Sequence, residues 1–223
     1  MRRWMIWWLG ALLVQVGGCA TLCGEDELGT VPRRVAVRIQ SGTIAGSGCL
    51  ILSRPRYGCY VLTAAHLIQD PSRTLVAVGL ESEAQPWCSA RVLRLKRELD
   101  LALLWLPDAP PGSPQRVIWA RSAPDENTPV VIMTAVGVQG PEAVPARIVR
   151  RGFLRVDRAL RPGMSGSGVF AGDRLVGLLF GQTATAAGRS PLEGRFLPVE
   201  LIQRFLDVGF GFLAAGRLPA EPG

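Results

Sequence analysis

Hydrophobic and polar residues alternate in many short segments, which is the pattern of half-buried β-strands. A first set of such segments occupies residues 34–39, 46–52, 59–63, 75–80, 90–95 and 101–106. After a proline-rich link at 107–114, a second set occupies residues 130–134, 143–150, 153–156, 168–170 and 175–181. We therefore predict an all-β fold of two packed six-stranded antiparallel β-barrels, covering about residues 31–118 and 128–197.

One convincing helix follows the strands, at residues 198–208, and a tail at 209–223 comes after it. Pro198 suits a first helical position. Val199, Ile202, Phe205 and Leu206 recur at helical spacing and predict a buried stripe. A single helical turn is also expected at 64–69.

The amino terminus has the pattern of an export signal. Two arginines precede residues 4–16, which carry no charge. This apolar stretch is shorter than the roughly 20 residues of a membrane-spanning helix, so residues 1–18 indicate a secretory signal peptide. Val16-Gly17-Gly18-Cys19 resembles a bacterial lipobox, which implies lipidation of Cys19 and anchoring to the membrane. The alternative is an ordinary signal peptide cut near Ala20. Residues 19–30 are expected to be a tether, in a protein of the cell envelope, the periplasm or the exterior.

Composition narrows the possible partners. The formal net charge is +7, and arginine carries nearly all of the positive charge. These arginines are scattered along the chain, whereas a nucleic-acid binder needs a clustered basic stripe. The chain has no Cys/His cluster at zinc-site spacing. We therefore expect no nucleic acid, metal or cofactor.

Five cysteines are consistent with export. If Cys19 carries lipid, the remaining four allow three complete pairings. Cys49 and Cys59 lie on neighbouring predicted strands and are the best candidates for a disulfide. The alternative is that both are buried thiols.

The only histidine, His66, follows an apolar strand in Leu62-Thr63-Ala64-Ala65-His66. A serine nucleophile needs an adjacent base, and that base needs an orienting group. Asp100 has apolar neighbours on both sides, which predicts a partly buried carboxylate that orients the imidazole. Asp70 is the rival acid, but it precedes a proline in a polar loop.

Ser165 is the candidate nucleophile, because it lies between Gly163 and Gly166. Glycine allows unusual backbone conformations and close substrate approach. The N–H groups of Gly163 and Ser165 are predicted to converge as an oxyanion hole. Ser167 is the rival nucleophile, but no glycine stands two residues before it. The order His66, Asp100, Ser165 is that of chymotrypsin-type enzymes, and it differs from the orders of subtilisins and α/β-hydrolases.

These motifs resemble those of trypsin-like serine proteases, and most closely the bacterial Deg/HtrA-type protease domain without its PDZ domain. The resemblance covers about residues 32–208. It rests on three short motifs, at residues 63–66, 100–104 and 162–167, which contain the candidate histidine, aspartate and serine. It also rests on Gly46-Ser47-Gly48, which is similar to that family's opening G-S-G. It implies a serine endopeptidase that cleaves proteins or peptides through an acyl-enzyme on Ser165. A catalytically dormant scaffold with the same fold is the alternative.

The resemblance also implies a substrate pocket formed by Ala159, Phe180, Gly181 and Gln182. Because Ala159 is uncharged, cleavage is expected after small or medium apolar residues. Three departures from the family pattern stand out. Met164 replaces an asparagine or aspartate, Ser167 replaces a glycine, and Phe180 occupies the position of a serine that supports the aspartate in digestive relatives.

Overall fold

A computed structural model of the chain describes residues 35–54, 58–77, 87–107, 116–136, 141–183 and 193–215. These residues form fourteen strands and one α-helix. The strands are β1 Ala36–Ser41, β2 Ile44–Arg54, β3 Gly58–Thr63, β4 Thr74–Ala77, β5 Cys88–Ser89, β6 Arg91–Lys96, β7 Leu101–Leu106, β8 Ile118–Trp119, β9 Pro129–Thr134, β10 Glu142–Arg150, β11 Phe153–Val156, β12 Gly168–Ala171, β13 Arg174–Thr183 and β14 Glu193–Pro198. The helix is α1 Val199–Ala215.

The first seven strands make one antiparallel sheet in the order β5-β4-β1-β2-β3-β7-β6. In the described residues β5 and β6 do not pair, so this first barrel is a half-barrel. Its interior holds buried aliphatic side chains, including Ile39, Leu50, Val61 and Leu104.

The second sheet closes on itself. Strands β9, β10, β11, β14, β13 and β12 follow one another, and β12 pairs with β9 again. Strand β8 joins this sheet by pairing in parallel with β13. Strand β10 alternates between exposed and buried residues from Ala143 to Ile148, as a strand with one face on a core requires. The prediction of two packed β-barrels is confirmed, with the second barrel closed.

A third apolar cluster joins the two halves and the helix. Leu62 and Leu103 come from the first sheet, Met133 and Phe170 from the second, and Phe205 from α1. The helix differs from its predicted bounds, because Pro198 is the last residue of β14. It also continues past 208, across non-helical residues at Val208, Gly209 and Phe210.

Arg94 of β6 holds the end of the first helical segment. Its guanidinium donates to the carbonyl of Phe205 and, at 2.7 Å, to that of Val208. It also lies 4.7 Å from the centre of the Phe205 ring. An arginine at a helix C-terminus satisfies carbonyls that have no partner within the helix.

The expected disulfide is wrong, because Cys49 and Cys59 are both free, buried thiols. Cys49 lies opposite Leu62, whereas Cys59 lies opposite Ser53. The two cysteines are therefore about 10 Å apart along the strands, beyond the roughly 7 Å that a disulfide spans. They also belong to different apolar clusters. Burial raises the pKa of the Cys49 thiol to about 12.

The signal peptide, the lipidated Cys19 and the tether lie outside the described residues and stay predictions. Within the described ranges, no helix has the length and apolar character needed to cross a membrane.

Candidate active site

His66 lies on a 3₁₀ turn, Ala65–Leu67, directly after β3. Its neighbours Ala64, Ala65 and Leu67 are buried, whereas 46% of the His66 side chain is exposed. The small alanines let the turn pack against the sheet, so that the imidazole is the part of the turn that faces solvent.

Asp100 lies beside this turn because β3 pairs with β7, with Thr63 opposite Ala102. Its backbone is left-handed, with φ 51° and ψ 44°, a conformation that aspartate adopts more readily than most residues. One carboxylate oxygen accepts from the His66 backbone N–H at 2.8 Å, and the other lies 2.7 Å from His66 Nδ1. Because an ionised carboxylate only accepts, neutral His66 donates from Nδ1 and presents Nε2 as an acceptor.

The rival acid, Asp70, does not reach His66. One of its carboxylate oxygens accepts from the Ser72 backbone N–H at 2.9 Å and from the Ser72 hydroxyl at 2.6 Å. These hydrogen bonds lower the pKa of Asp70. Asp70 therefore caps the 3₁₀ turn Pro71–Arg73.

A tight turn precedes Ser165. The Met164 N–H donates to the Arg161 carbonyl at 3.2 Å, and Gly163 has φ 90°. With Pro162 at the second position and glycine at the third, this is a type II β-turn. The N–H groups of Met164, Gly166 and Ser167 each donate to a carbonyl. Those of Gly163 and Ser165, the predicted oxyanion donors, have no protein acceptor among the described residues.

The Ser165 hydroxyl lies 3.4 Å from the Phe180 carbonyl. In the part of the chain that the structure describes, it makes no hydrogen bond to His66. The structure thus joins His66 to Asp100 and leaves the contact between Ser165 and His66 unformed in this rotamer. Contacts of this kind are often long in substrate-free enzymes and tighten when substrate binds.

Ser47, in the Gly46-Ser47-Gly48 motif, holds the Ser165 loop, a role that sequence reasoning missed. It is fully buried on β2. Its backbone N–H donates to the Ser165 carbonyl at 2.9 Å, and its hydroxyl donates to the Gly163 carbonyl at 2.9 Å. The signal in the sequence was a small polar residue between two glycines inside an apolar strand.

The direction of the hydrogen bonds around Ser47 follows from its partners. Because its proton goes to the Gly163 carbonyl, the Ser47 oxygen accepts from the Ala135 N–H at 3.2 Å and from the Thr134 hydroxyl at 3.1 Å. Thr134 accepts in turn from the Val136 N–H at 3.2 Å. Strands of both sheets therefore fix the turn that carries the Gly163 N–H.

Met164 and Ser167 anchor the loop from inside the second barrel. Met164 is buried in the core of that barrel, and its sulfur lies 3.1 Å from the Arg161 backbone nitrogen. Met164 is thus an apolar anchor for the loop. Ser167 is fully buried, and its hydroxyl donates to the Met164 carbonyl at 2.6 Å. A buried hydroxyl that already donates is a poor nucleophile, so Ser165 is the better candidate.

A cavity of about 280 Å³ lies beside Ser165. It is lined by Leu160, Arg161, Pro162, Met164, Ser165, Leu179 and Gly181. Of the expected pocket residues, only Gly181 is among these. Leu160 and Leu179, the chain neighbours of Ala159 and Phe180, line the cavity instead. The Phe180 ring packs on the core between the two sheets, and the Gln182 side chain lies outside the described part.

Comparison with protein families decides the classification. The profile of the trypsin-like peptidase domain matches residues 46–178. The chain belongs to the trypsin-like peptidase family. The resemblance seen in the sequence is thereby confirmed, since this range includes His66, Asp100 and Ser165. No curated protein matches this trypsin-like peptidase.

Solved structures share its fold. The inactive form of the Rv3671c protease has 22% identity and a TM-score of 0.62, with 80% of this chain and 90% of that chain covered. The active form of that protease, from M. tuberculosis, has 20% identity and a TM-score of 0.63, with 82% of this chain and 86% of that chain covered. The serine endoprotease from Yersinia pestis has 18% identity and a TM-score of 0.64, with 86% of this chain and 67% of that chain covered. The chain resembles the inactive and active forms to nearly the same degree, with TM-scores of 0.62 and 0.63, so the likeness describes the fold and not the activity state.

Proposed function

We propose that this chain is a serine endopeptidase with Ser165 as nucleophile, His66 as general base and Asp100 as orienting acid. The observation that carries the proposal is the bidentate hold of Asp100 on His66, at 2.8 and 2.7 Å. This hold leaves Nε2 to accept a proton. Rotation of Ser165 about its Cα–Cβ bond, between staggered positions, brings its hydroxyl from the Phe180 carbonyl toward His66.

In the proposed reaction, the Ser165 oxygen attacks the carbonyl carbon of the scissile peptide bond as its proton passes to His66 Nε2. The carbonyl oxygen becomes an oxyanion that the N–H groups of Gly163 and Ser165 stabilise, each by about 3–4 kcal/mol. His66 then gives its proton to the leaving amine, and the C–N bond breaks. Water repeats the sequence on the acyl-enzyme, which releases the acid and regenerates Ser165.

The cavity supports a preference at the cleaved bond. Leu160, Leu179 and Met164 give it apolar walls, so it suits a small or medium apolar side chain. Strand β13 pairs with β12 only up to Leu178 but with β14 up to Thr183. Among the described residues, one edge of 181–183 has no partner strand, and a substrate segment can add there as a strand.

The second candidate is a catalytically dormant scaffold, and the Ser165 rotamer is the observation that favours it. A fluorophosphonate probe, which reacts with activated serines, separates the two. We expect labelling of the wild-type protein, no labelling of Ser165→Ala, and labelling of the matched control Ser167→Ala. Labelling that survives Ser165→Ala would reject the assignment, and folded wild-type protein that resists the probe would support the scaffold.

A further inference from the structure

Four arginines that are scattered in the sequence meet on the outer face of the closed barrel. Arg147 of β10 lies directly opposite Arg155 of β11. Arg195 of β14 lies opposite Phe153, which points to the same side of β11 as Arg155. Arg150 places its guanidinium 4.0 Å from the centre of the Phe153 ring. All four arginines are exposed, and we call Arg147, Arg150, Arg155 and Arg195 the arginine face.

The arginine face keeps a net positive charge, with one carboxylate beside it: Glu193 of β14 lies directly opposite Arg155. Among the described residues, none of its four arginines forms an ion pair. Nearby arginines outside the face do. Arg158 and Arg161 share Glu142, and Arg151 lies 3.8 Å from Glu200. Like charges directly opposite each other on a sheet are unfavourable, so an anionic partner would relieve the face.

Aromatic rings hold two of the guanidinium groups in place. Arg195 lies 5.1 Å from the centre of the Phe180 ring and 5.9 Å from that of Phe153. Contact with a ring face orients a guanidinium and leaves its charge and N–H donors available to another group. Such a guanidinium is prepared to bind a carboxylate through two parallel hydrogen bonds.

The arginine face begins at the cavity beside Ser165. Arg195 lies opposite Gly181 in the pairing of β14 with β13, and Gly181 lines the cavity. A Cβ atom at Gly181 would have no heavy atom within 4 Å. Among the described residues, the space beside Gly181 is therefore open, and Arg195 lies directly across the strand pair from it.

We propose that the arginine face binds acidic side chains of the peptide substrate, on the segment that leaves the cavity along β13. This proposal rests on the proposed function. The position of Arg195 opposite Gly181 favours a peptide over an anionic membrane, because Gly181 lines the cavity and a peptide held there passes close to this arginine. The acidic residues would select the substrate through binding, while the apolar cavity accepts the residue at the cleaved bond.

The test uses two quenched fluorescent peptides with the same apolar residue at the cleaved bond and either Glu or Gln at the flanking positions on its acyl side. At low ionic strength we expect the Glu peptide to have about three- to tenfold higher kcat/KM, mainly through KM, and we expect salt to reduce this preference. Arg195→Gln should remove most of the preference, and Arg147→Gln with Arg155→Gln should remove part of it. The control Arg174→Gln makes the same charge change at the far end of β13 and should leave the preference intact.

Equal cleavage of the two peptides by wild-type protein, or equal losses in Arg174→Gln and Arg195→Gln, would overturn the proposal. If wild-type protein cleaves the two peptides equally but binds vesicles that contain phosphatidylglycerol through these arginines, the face binds a membrane and the proposal is also overturned. Binding of both peptides to Ser165→Ala separates this proposal from the proposed function. Tighter binding of the Glu peptide supports the arginine face even if the wild-type protein cleaves neither peptide, and equal binding counts against it.

Discussion

The hydroxyl of Ser47 offers the sharpest test of how the fold supports the candidate site. Ser47→Ala removes one buried oxygen with three hydrogen-bond partners, namely the Gly163 carbonyl, the Ala135 N–H and the Thr134 hydroxyl. The Thr134 hydroxyl can turn to another acceptor, but the two backbone groups cannot. Each buried group left without its partner costs about 1–3 kcal/mol, so the two backbone groups together should lower the unfolding free energy by about 2–6 kcal/mol.

The same substitution should affect catalysis, because the Gly163 carbonyl belongs to the turn that carries the oxyanion N–H. Loss of a whole oxyanion donor costs about 10²–10³ in kcat. A misplaced donor should cost less, so we expect kcat about 10- to 100-fold lower. KM should change little, since the oxyanion exists only after attack on the substrate.

Ser41→Ala is the matched control. Ser41 is also a fully buried serine with three polar neighbours, because it donates to the Asp70 carbonyl, accepts from the Asp70 N–H and lies 3.2 Å from the Thr74 hydroxyl. Urea unfolding should show similar destabilisation for both variants. Fluorophosphonate labelling at a temperature where both are folded should be slow only for Ser47→Ala. Equal labelling rates would refute a positioning role for Ser47.

Three further predictions concern other parts of the molecule. Asp100→Asn keeps a residue that tolerates the left-handed backbone, but it allows the wrong tautomer of His66. We therefore expect kcat to fall about 10⁴-fold, and urea unfolding checks that the fold persists. Arg94→Ala should lower the unfolding free energy by about 1–3 kcal/mol by removing the donor to two helix carbonyls. Arg94→Lys should recover only part of the lost unfolding free energy, since lysine lacks the planar guanidinium that can donate to two carbonyls at once. The Cys49 thiol stays protonated in the folded state up to a pKa of about 12, against 9.0 in the unfolded chain. Stability should therefore fall as pH rises from about 9 toward 12, because only the unfolded thiol ionises. Cys49→Ala should show a smaller fall in urea titrations at pH 8 and 10, and an unchanged fall would contradict this reasoning.

The strand pattern and the order of His66, Asp100 and Ser165 could be read from the sequence, because both are local. Alternating apolar residues identify strands, such as β7 at Leu101–Leu106. A histidine or aspartate beside such a strand lies at the edge of a sheet. The prediction of two packed barrels and the resemblance to trypsin-like proteases depended on these segments, the short motifs and their order, and the family match over residues 46–178 then confirmed the resemblance.

Contacts between distant strands were decided by the tertiary structure. Cys49 and Cys59 were expected to pair because their strands are neighbours, yet the register places them on opposite sides of the sheet. Ser47 gained its role because β2 and β9 meet behind the Ser165 loop. Ser47 lies 116 residues before Gly163 in the chain, so the sequence alone does not bring the two together.

The arginines show the same division between sequence and structure. In the sequence they are scattered, and nothing predicts that Arg147, Arg155 and Arg195 belong together. Pairing of β10, β11 and β14 brings them onto one outer face. A sequence specifies which side of its own strand a residue occupies, because side chains alternate along a strand. Which residue lies opposite it depends on register, and register is set by the packing of the whole barrel.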